Sequence, residues 1–325
     1  MLQRLTMGAA LAALACAAAA APPPACADAT STSVMVGANH PKADATFMVG
    51  TLRVERYGAG DPALVLIPGL ASGSWVWDNV IRAFDGTHRV YAVTLPGNDG
   101  VPPAQPPLLD QAENNIVALI AQEHLAKPIV IGHSLGGALA IRLAEDHSPI
   151  LGAIVSIDGT PVFPATLQMT PAQRKAYADE KAAEMRNASP AQYAQMANRA
   201  VASMVTDPAR AKQVAALTSK ADAGSTAEYF DELTASDMRP QLPNIKVPFL
   251  LVVPVPTVLP PGMPAYLANM NMDDRTAAFV SFYSSIFSGA STIQIKPVRD
   301  SRHFVMVDQP AALNSLLSDF IGAVK

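Results

Sequence analysis

Short runs of apolar and β-branched residues, separated by stretches with helical patterns, constrain the fold of this chain more than any other feature. Most of the central runs are apolar almost throughout, a pattern typical of parallel strands that are covered on both faces. The runs are LRVERY at 52, ALVLIP at 63, RVYAVTL at 89, PIVIGH at 128, LGAIVSID at 151, VPFLLVV at 247 and STIQIKPV at 291. Helices fit between them at Trp75 to Phe84, Leu109 to Leu125, Leu135 to Asp146 and Ala311 to Val324. This order predicts an α/β fold with a mostly parallel central sheet flanked by helices.

The strand signal disappears between Pro161 and Leu242. Three helix starts are predicted there, at Thr170, Ser189 and Asp207, because each of these residues precedes a proline. The first residue of each pair suits an N-cap, and the proline suits the first helical turn, where its missing N–H is harmless. A further helix is predicted near Ser225 to Ser236. We therefore predict a helical cap at 161–242, inserted after strand six between two core segments, 28–160 and 243–325. Its methionines suit either packing among the helices, the simpler interpretation, or an apolar binding surface; they are Met169, Met185, Met196, Met204 and Met238.

A proline-rich segment, VPVPTVLPPGMP at residues 253 to 264, follows the seventh strand. Its five prolines and lack of acidic residues argue against a central strand throughout. We expect a stiff apolar loop, followed by a helix from Arg275 to Phe287.

The first 27 residues have the pattern of a secretory signal: a basic residue at Arg4, an apolar stretch from Leu5 to Ala21, and an A-x-A motif ending at Ala27. We expect cleavage before Asp28, export to the periplasm or the medium, and no stable membrane anchor.

Both cysteines, Cys16 and Cys26, fall inside this segment, so the exported chain is expected to carry no thiol. Only 15% of the residues are charged and the formal net charge is −4. Because the sequence has no cluster of Lys and Arg, we expect no binding to nucleic acid or anionic lipid. No metal-ligand cluster or nucleotide loop is evident, and we predict no cofactor and no metal.

The segment VIGHSLGGAL at 130 contains the pattern G-x-S-x-G around Ser134. An apolar strand run precedes the pattern and a helical stretch follows it, so Ser134 falls on a sharp strand-to-helix turn that suits an exposed nucleophile. Glycines on both sides relieve the crowding of such a turn. The alternative is an ordinary glycine turn with a structural serine.

At these residues the chain resembles the α/β-hydrolase superfamily, and in particular cap-bearing bacterial serine hydrolases similar to carboxylesterases. The resemblance covers nearly all of the chain after the signal segment. It rests on LIPGLASGSWVWD at 66, TLPGNDG at 94, IGHSLGG at 131, a cap-sized helical insertion, and SRHFVMVDQP at 301. The family implies an α/β-hydrolase fold and a Ser-acid-His order along the chain.

His303 is the candidate general base, because it lies between the last strand and the last helix, where the family has its histidine. A serine hydroxyl needs such a base within hydrogen-bond reach to attack a carbonyl carbon. His133, next to the candidate nucleophile, is expected to serve in packing or in supporting the residues of the site. His40, His88, His124 and His147 have no catalytic context.

The acid departs from the commoner family pattern, in which a carboxylate follows the seventh strand, because the loop there is VPVPTVLPP. Asp158, at the end of the sixth strand, is our candidate, since some family members use that position and both strand ends meet at the same edge of the sheet. Asp273 and Asp274 are the alternative acids, and a turn-forming role before Gly159 is the alternative for Asp158.

By the same resemblance, the backbone N–H groups of Leu70 and Leu135 form the oxyanion hole. Pro68 stands where the family often has histidine, which leaves the N–H of Leu70 intact. The expected function is a secreted serine hydrolase that cleaves a small hydrophobic carboxylic ester through an acyl-enzyme. An amidase or lactonase with the same triad, or a ligand-binding protein without catalysis, is the alternative.

Overall fold

The computed structural model describes residues 36–260 and 263–324. The predicted signal segment, with both cysteines and its cleavage position, lies outside the described residues. Within the described residues, no helix has the length and apolar character needed to cross a membrane.

A mostly parallel sheet of eight strands forms the centre of the described structure, in the order β1-β2-β4-β3-β5-β6-β7-β8. The strands are β1 (Ala45–Val49), β2 (Leu52–Tyr57), β3 (Leu64–Ile67), β4 (Val90–Thr94), β5 (Ile129–His133), β6 (Ala153–Ile157), β7 (Phe249–Val255) and β8 (Ile293–Arg299). Strand β2 pairs antiparallel with β1 and β4, and every pair from β4 to β8 is parallel. The sheet confirms the predicted fold class.

Helices cover both faces of this sheet. They are α1 (Asp78–Phe84), α2 (Leu108–Gln122), α3 (Leu135–His147), α4 (Pro171–Arg186), α5 (Pro190–Met204), α6 (Pro208–Thr218), α7 (Ala223–Ala235), α8 (Ala265–Ala268), α9 (Met272–Ile286), α10 (Val305–Asp308) and α11 (Pro310–Ala323). Side chains of the central strands alternate between two apolar clusters, so that Leu66 packs with α1 and α11 while Val65 packs with α2, α3 and α9. Because both faces are buried, the strands are apolar throughout rather than alternating.

Four helices, α4 to α7, lie between β6 and β7, within the segment predicted as a cap. The three predicted caps are present: the side chains of Thr170, Ser189 and Asp207 each accept a hydrogen bond from a backbone N–H three residues later. A proline follows each cap and begins the helix. A bridge between Val162 and Asp237 joins the two ends of the insertion.

The proline-rich segment differs from the prediction at its start, because β7 continues through Pro254 to Val255. Residues of β7 bond alternately to its two neighbours: Phe249 donates to Thr292 beside β8, whereas Val252 accepts from Asp158 beside β6. Pro254 therefore faces the β6 side, where the pairing has already ended at Val252. Its missing N–H consequently costs no ladder hydrogen bond.

Two other details were wrong in the sequence-based prediction. The edge strand β1 was not predicted, and its Met48 is half exposed, which leaves only a weak apolar signal. The helix expected from Trp75 begins at Asp78, after a short 3-10 turn over Ser74–Trp77.

Candidate active site

Ser134 lies on the tight turn between β5 and α3, in the left-handed region with φ 53° and ψ −115°. Its N–H donates to the carbonyl of Ile157 at 2.9 Å, and its own carbonyl accepts from the N–H of Ala138 at 3.0 Å. A non-glycine residue with positive φ is costly and persists only where the surrounding structure holds it. The neighbouring strand β6 and the first turn of α3 hold this one.

The two glycines of the motif are required by close backbone approaches. A Cβ at Gly132 would lie 1.9 Å from the carbonyl oxygen of Gly136. A Cβ at Gly136 would lie 2.1 Å from the carbonyl oxygen of Ile67 in β3. Both distances are far inside van der Waals contact, so any side chain at either position would push the turn away from the sheet.

His303 follows β8, and its Nδ1 lies 2.6 Å from Oδ2 of Asp158 at the end of β6. Its backbone carbonyl accepts a hydrogen bond from Nε2 of His133 at 3.0 Å. The loop is fixed on its other side by Asp308, whose carboxylate accepts from the N–H of Arg302 at 2.8 Å. The histidine therefore has a defined position before any substrate arrives.

His133 is buried, and burial and the neighbouring His303 ring lower the pKa of His133 well below its usual range. The ring is therefore neutral, and Nε2 carries the proton that is donated to the His303 carbonyl. Its burial and its bond to the loop of His303 agree with the packing and supporting roles predicted for it.

Asp158 has a nearly buried side chain, 5% exposed, and a backbone φ of 52°. One carboxylate oxygen contacts His303, and the other accepts a hydrogen bond from the hydroxyl of Tyr283 on α9. Tyr283 was not among the residues predicted for the site. A tyrosine inside a predicted helix carries no signal of its own, and only the packing of α9 against β7 brings its hydroxyl to the carboxylate.

The alternative acids lie elsewhere. Asp273 and Asp274 are exposed in the first turn of α9. Asp273 pairs with Arg299, and Asp274 bonds to the capping residue Asn271. The structure brings neither of them to the histidine that Asp158 contacts.

Ser134, Asp158 and His303 line one cavity of about 70 Å³, together with Tyr283. Its apolar wall comes from α3 and from the insertion: Ala138, Phe163, Pro164 and Leu233. None of the five cap methionines lines this cavity, but Met238 lines a neighbouring groove of about 570 Å³, so the packing interpretation is favoured for the other four. Within the described residues, neither Oγ of Ser134 nor Nε2 of His303 makes a hydrogen bond, as is common in unliganded sites.

Two backbone donors lie beside the serine. Leu135 begins α3, where the first N–H groups have no partner within the helix. The loop of Leu70 passes next to Ser134, because a Cβ at Gly69 would lie 3.2 Å from Cβ of Ser134. Neither the N–H of Leu70 nor that of Leu135 donates to a group within the described residues. The oxyanion hole at these two N–H groups stays a prediction.

Metal ligation has no candidate set in the described part of the chain, where no group of three or more His, Cys, Asp or Glu side chains is arranged to hold an ion. The side chains that the cavity brings together are a hydroxyl, an imidazole and a carboxylate. Chemically, these are the parts of a nucleophile, a proton acceptor and a group that orients the acceptor.

Known proteins resemble this chain in sequence over part of its length. The pimeloyl-[acyl-carrier protein] methyl ester esterase of Aeromonas hydrophila subsp. hydrophila is 35% identical over 118 residues, which cover 35% of this chain and 44% of that protein. Lipase LipV of Mycobacterium tuberculosis is 31% identical over 112 residues, or 34% of this chain and 42% of that protein. The chain thus spans less than half the length of these relatives.

Solved structures resemble it over most of its length. A hydrolase from Pseudomonas aeruginosa PA01 has a TM-score of 0.70 at 18% identity, covering 87% of this chain and 100% of that one. The enol-lactonase from Burkholderia xenovorans LB400 has a TM-score of 0.65 at 16% identity, covering 86% and 100%. At these identities the likeness shows the fold alone. A sequence model of the Alpha/beta hydrolase family matches residues 64–316, well over half of the chain, and the chain therefore belongs to the Alpha/beta hydrolase family.

Proposed function

We propose that this chain is a serine hydrolase that cleaves a small hydrophobic carboxylic ester. In this proposal Ser134 is the nucleophile, His303 the general base and Asp158 the carboxylate that orients it. The observation that carries the proposal is the 2.6 Å contact between His303 Nδ1 and Asp158 Oδ2 in the cavity that Ser134 lines. Relatives named as an esterase and a lipase support the choice of an ester.

The reaction follows from these roles. His303 Nε2 accepts the proton of the Ser134 hydroxyl while Oγ bonds to the carbonyl carbon of the ester. The resulting oxyanion is stabilised by the N–H groups of Leu70 and Leu135, each of which can contribute about a hundredfold or more in rate. His303 then gives its proton to the departing alcohol, which leaves an acyl group on Ser134. Water, deprotonated by the same histidine, releases the acid and restores the serine.

The substrate class is limited by charge and size. Apart from Asp158 and His303, the described side chains that line the cavity carry no charge, and its volume of about 70 Å³ suits a short acyl or alcohol group. A longer substrate would extend into a neighbouring groove of about 570 Å³, which shares Ala138 and Leu233 with the cavity. Among the described residues that line that groove, six are acidic and two, Arg142 and Lys175, are basic. Burial raises the pKa of Glu145, one of the six, to about 8, so the negative charge at neutral pH comes mainly from the other five. We therefore expect neutral esters to be preferred over esters whose acyl chain ends in a carboxylate.

A panel of p-nitrophenyl acetate, butyrate and octanoate, with lactones, amides and a carboxylate-ended ester included, tests this proposal. We expect the highest kcat/KM for short neutral esters, and a loss of about a thousandfold or more in Ser134→Ala. Ser285→Ala, on the exposed face of α9, is the control and should match wild type.

Turnover that persists in Ser134→Ala would remove the proposal. Tight binding of an apolar ligand, equal in wild type and Ser134→Ala and without turnover of any compound in the panel, would instead favour a binding protein. Faster cleavage of lactones or amides than of esters would keep the mechanism but change the bond.

We also propose that the chain is exported, on the strength of the signal pattern in residues 1–27. Expression of the full chain in a bacterial host should give a periplasmic or secreted protein whose first residue is Asp28. A product that keeps Met1 and stays with the cytoplasmic fraction would contradict export.

A further inference from the structure

Tyr283 is a buried residue of α9, and within the described residues its hydroxyl bonds to one side chain, the carboxylate of Asp158. Only 1% of the tyrosine is exposed. Burial, and then the negative charge of Asp158, raise the pKa of Tyr283 well above its usual range. The hydroxyl therefore stays protonated and remains a hydrogen-bond donor at every pH at which the protein would be assayed.

Asp158 depends on this donor, because no Lys or Arg side chain forms an ion pair with it in the described residues. Its two oxygens are divided between two partners: Oδ2 contacts the ring of His303 and Oδ1 accepts from Tyr283. A buried carboxylate oxygen without a partner is costly, so the tyrosine fixes which oxygen faces the histidine.

The hydroxyl that contacts Asp158 comes from a different part of the chain than Asp158 itself. It comes from the helix that follows β7 and its proline-rich loop, the part of the chain where the commoner family pattern supplies the acid itself. Here the acid is on β6, and the segment after β7 contributes a neutral donor to that acid instead.

We propose that Tyr283 is a positioning residue for the proposed reaction. Its hydroxyl fixes the orientation of Asp158 through Oδ1 and, by donating a hydrogen bond, partly neutralises the negative charge that acts on His303. The inference rests on the proposed function of Ser134, His303 and Asp158, because Tyr283 acts only through them. It predicts an effect on the pH dependence of the reaction that a tyrosine serving only to pack α9 would not have.

The physical consequence has two parts. Without the hydroxyl, the carboxylate can rotate, so the histidine loses its fixed orientation and kcat falls. The negative charge is also less well solvated by donors, so it holds a proton on the neighbouring imidazole more strongly. The acid limb of the kcat/KM profile should then move to higher pH. Because the tyrosine hydroxyl is already bonded to Asp158, we expect KM to change little.

Tyr283→Phe tests this, with Tyr91→Phe as the matched control. Tyr91 is fully buried in β4 and donates to the carboxylate of Glu123 at 2.9 Å, so the control also deletes a hydroxyl bonded to a carboxylate, far from the cavity. For Tyr283→Phe we expect kcat to fall about 10- to 100-fold, KM to stay within about twofold, and the acid limb to rise by about one pH unit. Tyr91→Phe should show none of these changes.

Two further variants exclude a general packing defect. In an Asp158→Asn background, Tyr283→Phe should cost little additional activity, because its partner carboxylate is already gone. Replacing Tyr283 by 3-fluorotyrosine keeps the shape but strengthens the donor, and should move the acid limb in the opposite direction, to lower pH. Equal pH profiles for wild type, Tyr283→Phe and the fluorotyrosine variant, or a full additional loss in Asp158→Asn, would overturn the inference.

A measurement without substrate separates this inference from the proposed function. The downfield proton resonance of the His303 Nδ1–H reports its bond to Asp158 whether or not the protein turns over an ester. It should shift or disappear in Tyr283→Phe and stay unchanged in Tyr91→Phe. An unchanged resonance in Tyr283→Phe would overturn the positioning role, whereas absent turnover in wild type with a shifted resonance would overturn only the proposed function.

Discussion

Two histidines in this molecule have similar partners and different surroundings. His303 Nδ1 lies 2.6 Å from Asp158, and His40 Nδ1 lies 2.6 Å from Asp78. Both rings are partly exposed, at 21% and 28%, and both aspartates are nearly buried. A tyrosine hydroxyl belongs to each group as well. Each cluster thus contains a histidine, an aspartate at the same distance from Nδ1 of that histidine, and a tyrosine.

They differ at the second ring nitrogen. His40 Nε2 lies 3.0 Å from the carboxylate of Glu55 and 2.9 Å from the hydroxyl of Tyr57. The hydrogen bonds to Asp78 and then Glu55 raise the pKa of His40 to about 9. Its ring is held as a cation and has no free nitrogen with which to accept a proton.

Nε2 of His303 has no hydrogen-bond partner in the described residues, and His303 lines the cavity together with Ser134. A histidine–aspartate pair therefore does not by itself make a general base. The group needs a free nitrogen beside a nucleophile, and the fully bonded cluster at His40 instead ties the chain before β1 to α1 and β2.

The largest contrast is expected from replacing each histidine by glutamine. His303→Gln should lower kcat by about a thousandfold or more, because the serine loses its base. His40→Gln should leave kcat within about threefold of wild type. Ester turnover by the two purified variants measures this, and a similar loss in both would mean that the clusters do not differ in the proposed way.

The aspartates should differ in the same direction. Asp158→Asn should reduce kcat by about a hundred- to ten-thousandfold, because an amide would favour the wrong tautomer of His303. Asp274→Asn, at the exposed start of α9, should have little effect on kcat and is the matched control. A severe loss in Asp274→Asn together with a mild one in Asp158→Asn would move the acid to α9.

The His40 cluster should appear in stability measurements. Because its folded pKa of about 9 is above the ordinary 6.5, the contribution of His40 is complete below about pH 6.5 and is lost as the pH rises through about 9. Burial raises the pKa of Glu55, but hydrogen bonds to His40 and Ser74 outweigh burial and lower that pKa to about 2. The contribution of Glu55 to the free energy of unfolding is therefore present above its ordinary pKa of 4.5 and is lost as the pH falls through about 2.

Denaturant unfolding at several pH values tests the contribution of His40 to stability. His40→Gln should lower the free energy of unfolding at pH 7 by about 1 to 3 kcal/mol, and this difference should shrink as the pH is raised through about 9. His88→Gln, at a half-buried position where the ring contacts the hydroxyl of Thr87 and no carboxylate, is the control. A difference that stays constant from pH 6 to pH 10 would show that the charge on His40 is not what stabilises the cluster.

The smallest effect is expected from the tyrosine of the His40 cluster. Tyr57→Phe removes hydroxyl contacts with His40 and Glu55 but leaves the ion pairs, so the free energy of unfolding should fall by about 1 kcal/mol. Its kcat and pH profile should match wild type, unlike those of Tyr283→Phe. A shifted pH profile in Tyr57→Phe would connect this cluster to the reaction.

Much of the fold could be predicted from local sequence, because buried parallel strands and capped helices have short-range patterns. The caps at Thr170, Ser189 and Asp207 are of this kind. The strand β1 was missed because an edge strand needs few apolar residues. Pro254 was placed outside the strand because its tolerance depends on where the neighbouring strand ends, which no local pattern contains.

The residues of the site also fall into two groups, those that the sequence could predict and those that it could not. The turn at Ser134 has a motif, and the positions of Asp158 and His303 at strand ends follow from the order of the elements. Tyr283 and the cavity wall at Leu233 come from helices that pack onto the site from distant parts of the chain. Their side-chain types carry no signal, so only the tertiary structure shows them.

The rate of modification of the serine tests the central claim most directly, that a free His303 nitrogen beside Ser134 distinguishes this cluster. A fluorophosphonate probe should modify wild type on one residue, identified as Ser134 by peptide mass spectrometry. The rate should fall by about a thousandfold or more in His303→Gln and remain at the wild-type value in His40→Gln. Modification at another residue, or an equal rate in wild type and His303→Gln, would contradict the account.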